Sequence, residues 1–360
     1  MKNTIFFICT IWLSITGFCR PIEVLDPSDP QFRWMDELIE KDFAKLPSSI
    51  SSINYSFGVR IHRQNNWVVR LKVVNNQVEG PAGPGRHMLE YLCRVYGLPD
   101  VDLLYWQHDG LAESPPGTVP LFAGARTIGT SNSILFVDWY FDISNPDTAW
   151  YSEIKQIDNY NAQKGWQHKE NKLFWRGSNT DVWSGGIYTF WNWSQHARGA
   201  ACALSQEYPD LIDAAFSNIY SFLVDGSETG LQKLKQAIPM SPAISISEHL
   251  KYKYQLQVTG LMANFPRDKW QFYSGCTIFR HEPPHEMYWY SLVKPWEHYI
   301  PVRSDMSDLI EKVKWARLHD EDCYKMAQAA RQFALEHIMP EHIALYCYKV
   351  LLRYAQILKN

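Results

Sequence analysis

The sequence has little net charge and no excess of basic residues. Its 35 lysine and arginine residues nearly balance 38 aspartate and glutamate residues, so the formal net charge is −3. A general nucleic-acid-binding protein carries a basic face, and this balance therefore argues against nucleic acid as a partner. Hydrophobic residues make up 46% of the chain and charged residues 20%, a composition typical of a folded globular protein.

Motifs of several enzyme and metal-site classes are absent. The chain has no CxxC pair, no HExxH arrangement, no GxSxG nucleophile elbow and no P-loop. Five of its seven cysteines lie beyond residue 19 and are scattered, without the spacing of metal ligands. They could form one or two disulfides in an oxidising compartment, but the sequence does not pair them. We expect neither a metal site nor a cofactor.

The N-terminus has the pattern of a signal peptide. Lys2 precedes an apolar run at 5–18, which is shorter than the roughly 20 residues of a transmembrane helix. Gly17 and Cys19 are small enough for cleavage after Cys19. We predict a signal peptide at 1–19 and a location in the secretory lumen or outside the cell. If this segment is not cleaved, it would anchor the protein to a membrane.

Hydrophobic periodicity predicts alternating helices and buried strands. In the first half we predict helices at 31–46 and 86–96, a three-stranded meander at 57–78, and strands at 101–106 and 133–139. In the second half we predict strands at 173–175, 211–216, 252–258 and 276–279, and helices at 195–206, 305–317, 321–337 and 340–358. Helix followed by buried strand, repeated, predicts an α/β fold with parallel strands.

Asp109 follows the predicted strand 101–106 and is the first candidate for catalysis. Ligand sites in open α/β sheets lie at the carboxyl ends of strands, where a carboxylate can accept a proton from an attacking hydroxyl group. An aspartate followed by glycine is also typical of a helix N-cap or a turn.

The sequence Arg176-Gly177-Ser178 follows another predicted strand and could bind phosphate oxygens through its backbone amides and hydroxyl group. Arg198 and Arg267 are the cations that we would place on a diphosphate, because arginine stays charged and offers paired donors. An ordinary turn and solvated surface arginines are the structural alternatives.

Longer strings resemble glycosyltransferase family 90. They are LPD at 98–100, FWRGS at 174–178, EHLKYKY at 248–254, ANFPR at 263–267 and KPWEHYIPV at 294–302. The resemblance extends over roughly 86–350. The family includes animal protein O-glucosyltransferases and fungal and bacterial transferases that modify capsules or lipopolysaccharide.

The resemblance implies a GT-B-like α/β fold, in which two Rossmann-like lobes face a cleft and C-terminal helices brace them. The implied division is an acceptor-side lobe at 20–165, a lobe binding the nucleotide sugar at 166–335, and a terminal helix at 336–360 that packs back across the lobes. It also implies metal-independent, inverting transfer of a hexose or pentose from a UDP-sugar, UDP-glucose or UDP-xylose first, to a protein or glycan acceptor.

The resemblance also assigns site residues. The family's general base corresponds to Asp109, its donor-contacting serine to Ser178, and its two phosphate-side arginines to Arg198 and Arg267. The loop that wraps the nucleotide corresponds to Leu261, Met262, Ala263, Asn264 and Phe265.

Three features depart from the animal enzymes or compete with this assignment. The chain inserts VWSGGIYTFWNW at 182–193, between Ser178 and Arg198, and it has His108 where the animal enzymes have arginine before the base. Two DxD patterns, at 100–102 and 320–322, match the metal motif of another glycosyltransferase class, and we interpret them as a strand entry and a helix start.

The alternatives to a glycosyltransferase are a non-catalytic secreted sugar- or peptide-binding protein on the same fold and, ranked below it, a glycosidase.

Overall fold

The computed structural model describes residues 22–47, 50, 68–144, 149–265 and 267–359. The predicted signal peptide and the first part of the predicted meander, 57–67, lie outside them. The strands are β1 (Val68–Val74), β2 (Gln77–Glu79), β3 (Val101–Trp106), β4 (Leu121–Ala123), β5 (Arg126–Thr127), β6 (Ser133–Leu135), β7 (Glu170–Ser178), β8 (Ile212–Asn218), β9 (Tyr252–Gln257), β10 (Thr277–His281), β11 (His285–Glu286) and β12 (Ile300–Val302). The helices are α1 (Arg33–Phe43), α2 (Pro84–Val95), α3 (Ala149–Gln163), α4 (Ala197–Glu207), α5 (Glu228–Ala237), α6 (Ile246–His249), α7 (Arg267–Tyr273), α8 (Leu309–Leu318), α9 (Asp320–His337) and α10 (Pro340–Leu358).

The first lobe contains a five-stranded sheet in the order β2-β1-β3-β4-β6. Strands β3, β4 and β6 are parallel, whereas β1 runs antiparallel to both β2 and β3. A two-residue turn joins β1 to β2, and both of its residues, Asn75 and Asn76, have positive φ (49° and 60°), as such tight hairpin turns require. The predicted strand at 101–106 is confirmed, and the one predicted at 133–139 already ends at Leu135.

The second lobe contains a fully parallel sheet in the order β8-β7-β9-β10-β12. Counted along the chain, this order is 2-1-3-4-5, the order of a doubly wound α/β sheet. The strand order reverses between β7 and β9. Connections leave these two strands in opposite directions, which opens a crevice at their carboxyl ends. Ser178 ends β7, and the chain from Val258 to Phe265 follows β9, so both predicted donor-binding segments lie at this crevice.

The hydrophobic core explains how the terminal helices join the lobes. The beginning of α9 packs in the core of the second lobe through Cys323 and Met326, whereas Ala330 and Phe333 at its end pack in the first core, which contains side chains of both lobes. Helix α10 then packs against α1, α2 and β3 of the first lobe. The predicted fold class, two α/β lobes around a cleft with bracing helices, is thus confirmed. The residue bounds and roles assigned to the lobes stay predictions.

Helices α3, α5 and α7 were not predicted from the sequence. In α7 every residue from Asp268 to Tyr273 is buried, so the helix has no polar face to create an amphipathic pattern. Its charged and amide groups are buried because other side chains pair with them, and Lys269 forms an ion pair with Asp138 of the first lobe at 2.8 Å.

Two further findings concern compartment and membrane. The five cysteines beyond residue 19 are all buried and unpaired, so none of the disulfides considered above joins them. Across the described ranges, no helix combines the length and the hydropathy that crossing a bilayer requires.

The packing of α10 predicts a large loss of stability for Leu345→Ala. Leu345 is fully buried in the first core, and removing three side-chain carbons from such a site costs about 2–5 kcal/mol. Leu358→Ala is the matched control in the same helix, because Leu358 is 36% exposed and its truncation should cost about 0.5 kcal/mol. Urea unfolding of both variants measures the difference. Equal losses would contradict the bracing role of α10.

Candidate active site

A cleft of about 380 Å³ lies at the carboxyl ends of β7 and β9, facing the loop that follows β3. The structure brings nearly all predicted site residues together on its walls: Asp109, Ser178, Arg198, Leu261, Ala263, Asn264, Phe265 and Arg267. Met262 is buried and does not line the cleft. The individual roles of these residues stay predictions.

Arg198 lies in the first turn of α4, and its guanidinium group joins the two central strand ends. It donates to the carbonyl oxygens of Ser178 and Val258, each at 2.7 Å, and to Thr180 Oγ1 at 2.5 Å. Its Nε is buried and has no hydrogen-bond partner in the part of the chain that the structure describes. Burial lowers the pKa of the guanidinium group, although the nearby carboxylate of Asp181 opposes the shift. The structure therefore refines the sequence prediction: Arg198 clamps the crevice and keeps one donor without a protein partner.

Arg267 begins α7 beside Arg198. Its Nη2 donates to the Arg176 carbonyl oxygen at 2.7 Å, whereas Nη1 is buried and finds no partner among the described residues. Burial, together with the positive charge of Arg198, lowers the pKa of Arg267 to about 10, so Arg267 remains charged at neutral pH. Arginine side chains in general stay protonated in proteins. An anion bound between Arg198 and Arg267 would relieve their mutual repulsion.

The loop after β9 passes closely over Arg198. A side chain at Gly260 would place its Cβ 3.1 Å from Thr180 Oγ1 and 3.4 Å from Arg198 Nη2, so glycine allows this approach. Four residues on, the Asn264 amide nitrogen is buried, and no described residue accepts a hydrogen bond from it. Three orphaned donors, on Arg198, Arg267 and Asn264, thus occur in residues of one cleft wall. Because buried donors are normally paired, this set fits a ligand rich in acceptor oxygens, such as a diphosphate.

Asp109 lies on the opposite side of the cleft, in the loop that leaves β3. Its carboxylate accepts a hydrogen bond from Tyr140 Oη at 2.9 Å, and His108 Nδ1 is 4.0 Å from the other oxygen. The side chain is 22% exposed, so a substrate in the cleft can reach it. No helix begins in this described segment, which excludes the N-cap alternative for Asp109.

Tyr140 connects the two walls of the cleft. Its ring stacks on Phe265, with ring centroids 5.6 Å apart and an interplanar angle of 26°. Burial raises the pKa of its hydroxyl group, and the negative charge of Asp109 raises it further. The hydroxyl therefore stays protonated and holds the Asp109 carboxylate in place.

Sequence reasoning missed Glu153, which lies on α3 and lines the cleft. Its side chain is 8% exposed, and burial raises the pKa of its carboxyl group to about 8 against the nearby positive charges of Lys269 and Arg267. No local motif surrounds Glu153, and α3 itself was not predicted. The Lys269 pairing with Asp138 and the cleft position of Glu153 are visible only in the folded chain.

The insertion at 182–193 packs against the second sheet beside the cleft. The ring of Trp183 stacks on His281, with centroids 4.9 Å apart, and its indole N–H donates to the Thr259 carbonyl oxygen at 3.2 Å. Just before the insertion, Asp181 accepts a hydrogen bond from the Arg198 backbone N–H at 2.7 Å. The inserted residues thus leave Arg198 at the crevice, as the resemblance implies.

The two DxD patterns have structural partners outside the cleft. Asp102 pairs with Arg70, whose Nε lies 2.8 Å from the carboxylate. Asp320 begins α9 and accepts from Lys253 Nζ at 2.6 Å and from Trp166 Nε1 at 3.0 Å. The interpretation of the second pattern as a helix start is confirmed. Among the residues that the structure describes, no three His, Cys, Asp or Glu side chains are grouped to hold a metal ion.

Comparison with solved structures finds partial overlaps. HepE of Anabaena, solved in complex with UDP and glucose, is 12% identical, with a TM-score of 0.40 over 67% of this chain and 63% of that one. The C-terminal domain of the glycosyl transferase group 1 protein LpcC from Francisella tularensis is 16% identical, with a TM-score of 0.33 over 51% of this chain and 91% of that one. TM-scores this low do not establish a relationship between this chain and either protein.

Comparison with known sequences is more informative. Protein O-glucosyltransferase 2 of Danio rerio is 33% identical over 192 residues, which are 53% of this chain and 34% of that protein. Protein O-glucosyltransferase 3 of Homo sapiens is 25% identical over 92% of this chain and 64% of that protein. The chain therefore spans between one third and two thirds of the length of these relatives. The family described as glycosyl transferase family 90 matches residues 86–360, well over half of the sequence. The protein belongs to glycosyl transferase family 90.

Proposed function

We propose that the protein is a glycosyltransferase that moves a sugar from a UDP-sugar to a hydroxyl group of a protein or glycan acceptor, lipopolysaccharide included. One observation carries the proposal: the three residues that keep an orphaned donor line the same cleft as the carboxylate of Asp109. Family membership supports glycosyl transfer, and the names of the relatives support glucose and a protein acceptor. Xylose is our second choice of sugar.

The donor diphosphate would bind at the crevice between β7 and β9. As the bond between sugar and phosphate breaks, negative charge grows on the leaving UDP. Arg267, Arg198 and Asn264 already line this space, so their donor groups can stabilise the charge with little reorganisation. We propose that these cations and amides replace a metal ion.

Asp109 would accept the proton of the acceptor hydroxyl as this attacks the anomeric carbon. The base and the leaving group then lie on opposite sides of the sugar. This arrangement favours a single displacement, which inverts the anomeric configuration. Tyr140 holds the carboxylate through the 2.9 Å hydrogen bond and leaves its second oxygen to the acceptor.

Two alternatives remain for experiment. Glu153 gives the cleft a second carboxyl group, and a glycosidase needs two carboxylates beside the scissile bond. Release of a sugar from a glycan by water, without UDP, would favour a glycosidase. A glycosidase, however, has no use for the three orphaned donors. The other alternative is a secreted protein that binds a sugar or peptide without turnover.

We propose that the protein is located in the secretory lumen, on the basis of the predicted signal peptide.

Asp109→Asn should lower transfer about 10²- to 10⁴-fold, the usual effect of losing a positioned general base, while the affinity for UDP stays the same. A UDP-release assay with UDP-glucose, UDP-xylose, UDP-galactose and UDP-N-acetylglucosamine in the presence of EDTA measures the effect. We expect release from one donor to survive EDTA. Unchanged turnover in the variant would refute the role of Asp109, and loss of release with EDTA would refute metal independence.

Arg267→Ala should weaken UDP binding about 10- to 100-fold, because one charged hydrogen bond to the diphosphate is lost. Arg303→Ala is the matched control, since Arg303 is exposed and bonds to Ser307 on the surface. Calorimetric titration with UDP compares the two variants. Equal affinities in both would contradict a diphosphate site at Arg267.

A further inference from the structure

Glu153 is buried and lines the cleft, and binding of a diphosphate does not explain its presence there. It lies on α3, which packs against α7, and its Oε2 is buried with no hydrogen-bond partner among the residues that the structure describes. Buried carboxyl oxygens are normally paired, so this atom marks a place where a ligand completes the site.

Glu153 lines the same cleft as Arg267 and Asp109, the residues at its two chemical ends. The positive charges of Lys269 and Arg267 and the negative charge of Asp138 act on its carboxyl group. In the proposed reaction the transferred sugar lies between the leaving phosphate and the base, so it occupies the cleft that Glu153 lines.

The carboxyl group of Glu153 differs in its hydrogen-bonding chemistry from the donors proposed to bind the phosphates. Phosphate oxygens only accept hydrogen bonds at neutral pH, so they offer no donor to the carbonyl oxygen of a neutral carboxyl group. A sugar hydroxyl both donates and accepts. Because burial raises the pKa of Glu153 to about 8, a neutral carboxyl group can exchange hydrogen bonds with a hydroxyl without burying a charge.

We propose that Glu153 binds a hydroxyl group of the transferred sugar and thereby determines which UDP-sugar the protein accepts. This inference rests on the proposed glycosyltransferase function and adds to it a sugar subsite on α3.

The neutral state of Glu153 can be checked without substrate. The folded protein binds this proton more tightly than the unfolded chain, where the pKa is near 4.5. The contribution of Glu153 to stability is therefore fully present below pH 4.5 and is lost as the pH rises to about 8. We expect the free energy of unfolding of Glu153→Gln, relative to the natural protein, to rise over this interval in urea titrations. If the difference in the free energy of unfolding did not vary with pH, Glu153 would be an ordinary ionised glutamate. That result would contradict a neutral carboxyl group as the partner of the sugar hydroxyl.

Binding measurements at pH 7 test the subsite without an acceptor. The ligands are UDP alone and the UDP derivatives of glucose, xylose, galactose and N-acetylglucosamine. Glu153→Ala should bind UDP within about twofold of the natural protein, but its preferred UDP-sugar about tenfold or more weakly, and its preference among the four sugars should shrink. Glu153→Gln should retain part of the preference, because an amide can still pair with a hydroxyl.

Asp158→Asn is the matched control on the same helix, because Asp158 bonds to Arg331 and Tyr273 away from the cleft and should leave every affinity unchanged. Unaltered sugar preference in Glu153→Ala would overturn the subsite. A loss of UDP affinity as large as the loss for the UDP-sugar would overturn it too, since the carboxyl group would then act on the nucleotide. If the natural protein bound neither UDP nor any UDP-sugar, the proposed function would fail together with the subsite.

Discussion

The guanidinium group of Arg198 is the constraint on which the cleft depends. Parallel strands β7 and β9 end side by side, and the chain leaves them in opposite directions, so their last carbonyl oxygens would face an open crevice. Arg198 donates to the carbonyls of Ser178 and Val258 and fixes the separation of the two strand ends. The positions of the loop after Gly260, of Asn264 and of Arg267 follow from this clamp. Arg198, which the family resemblance assigns to donor binding, thus also builds the site.

The cleft wall that carries Asp109 is positioned by contacts between the lobes. The buried ion pair of Lys269 with Asp138 and the stacking of Tyr140 on Phe265 both join the two lobes. Farther away, β5 of the first lobe pairs with β11, which follows β10 of the second sheet, and α9 enters both cores. The ion pair is fully desolvated, so breaking one partner would leave an uncompensated buried charge. These contacts hold Asp109 at a defined distance from the donors on the other wall.

Several elements were predictable because their pattern is local. The strand at 101–106 is a continuous buried run, the turn at Asn75-Asn76 needs residues that tolerate positive φ, and helices α9 and α10 have a clear apolar stripe. Helix α7 has no such stripe because all sides of it are covered. The early end of β6 has a similar cause, since the residues after Leu135 are buried by tertiary packing rather than by sheet pairing.

By itself the sequence determined the α/β class, the family resemblance and a set of site residues that, Met262 apart, line a single cleft. These features depend on local periodicity and on short strings of residues, which a linear reading can detect. Only the tertiary structure decided that Arg198 is a clamp, that Tyr140 holds Asp109, and that Glu153 belongs to the cleft. Those properties arise from burial and from contacts between distant segments. The pKa of a carboxyl group and the pairing of a buried donor depend on what surrounds them after folding, and no spacing in the chain encodes that environment.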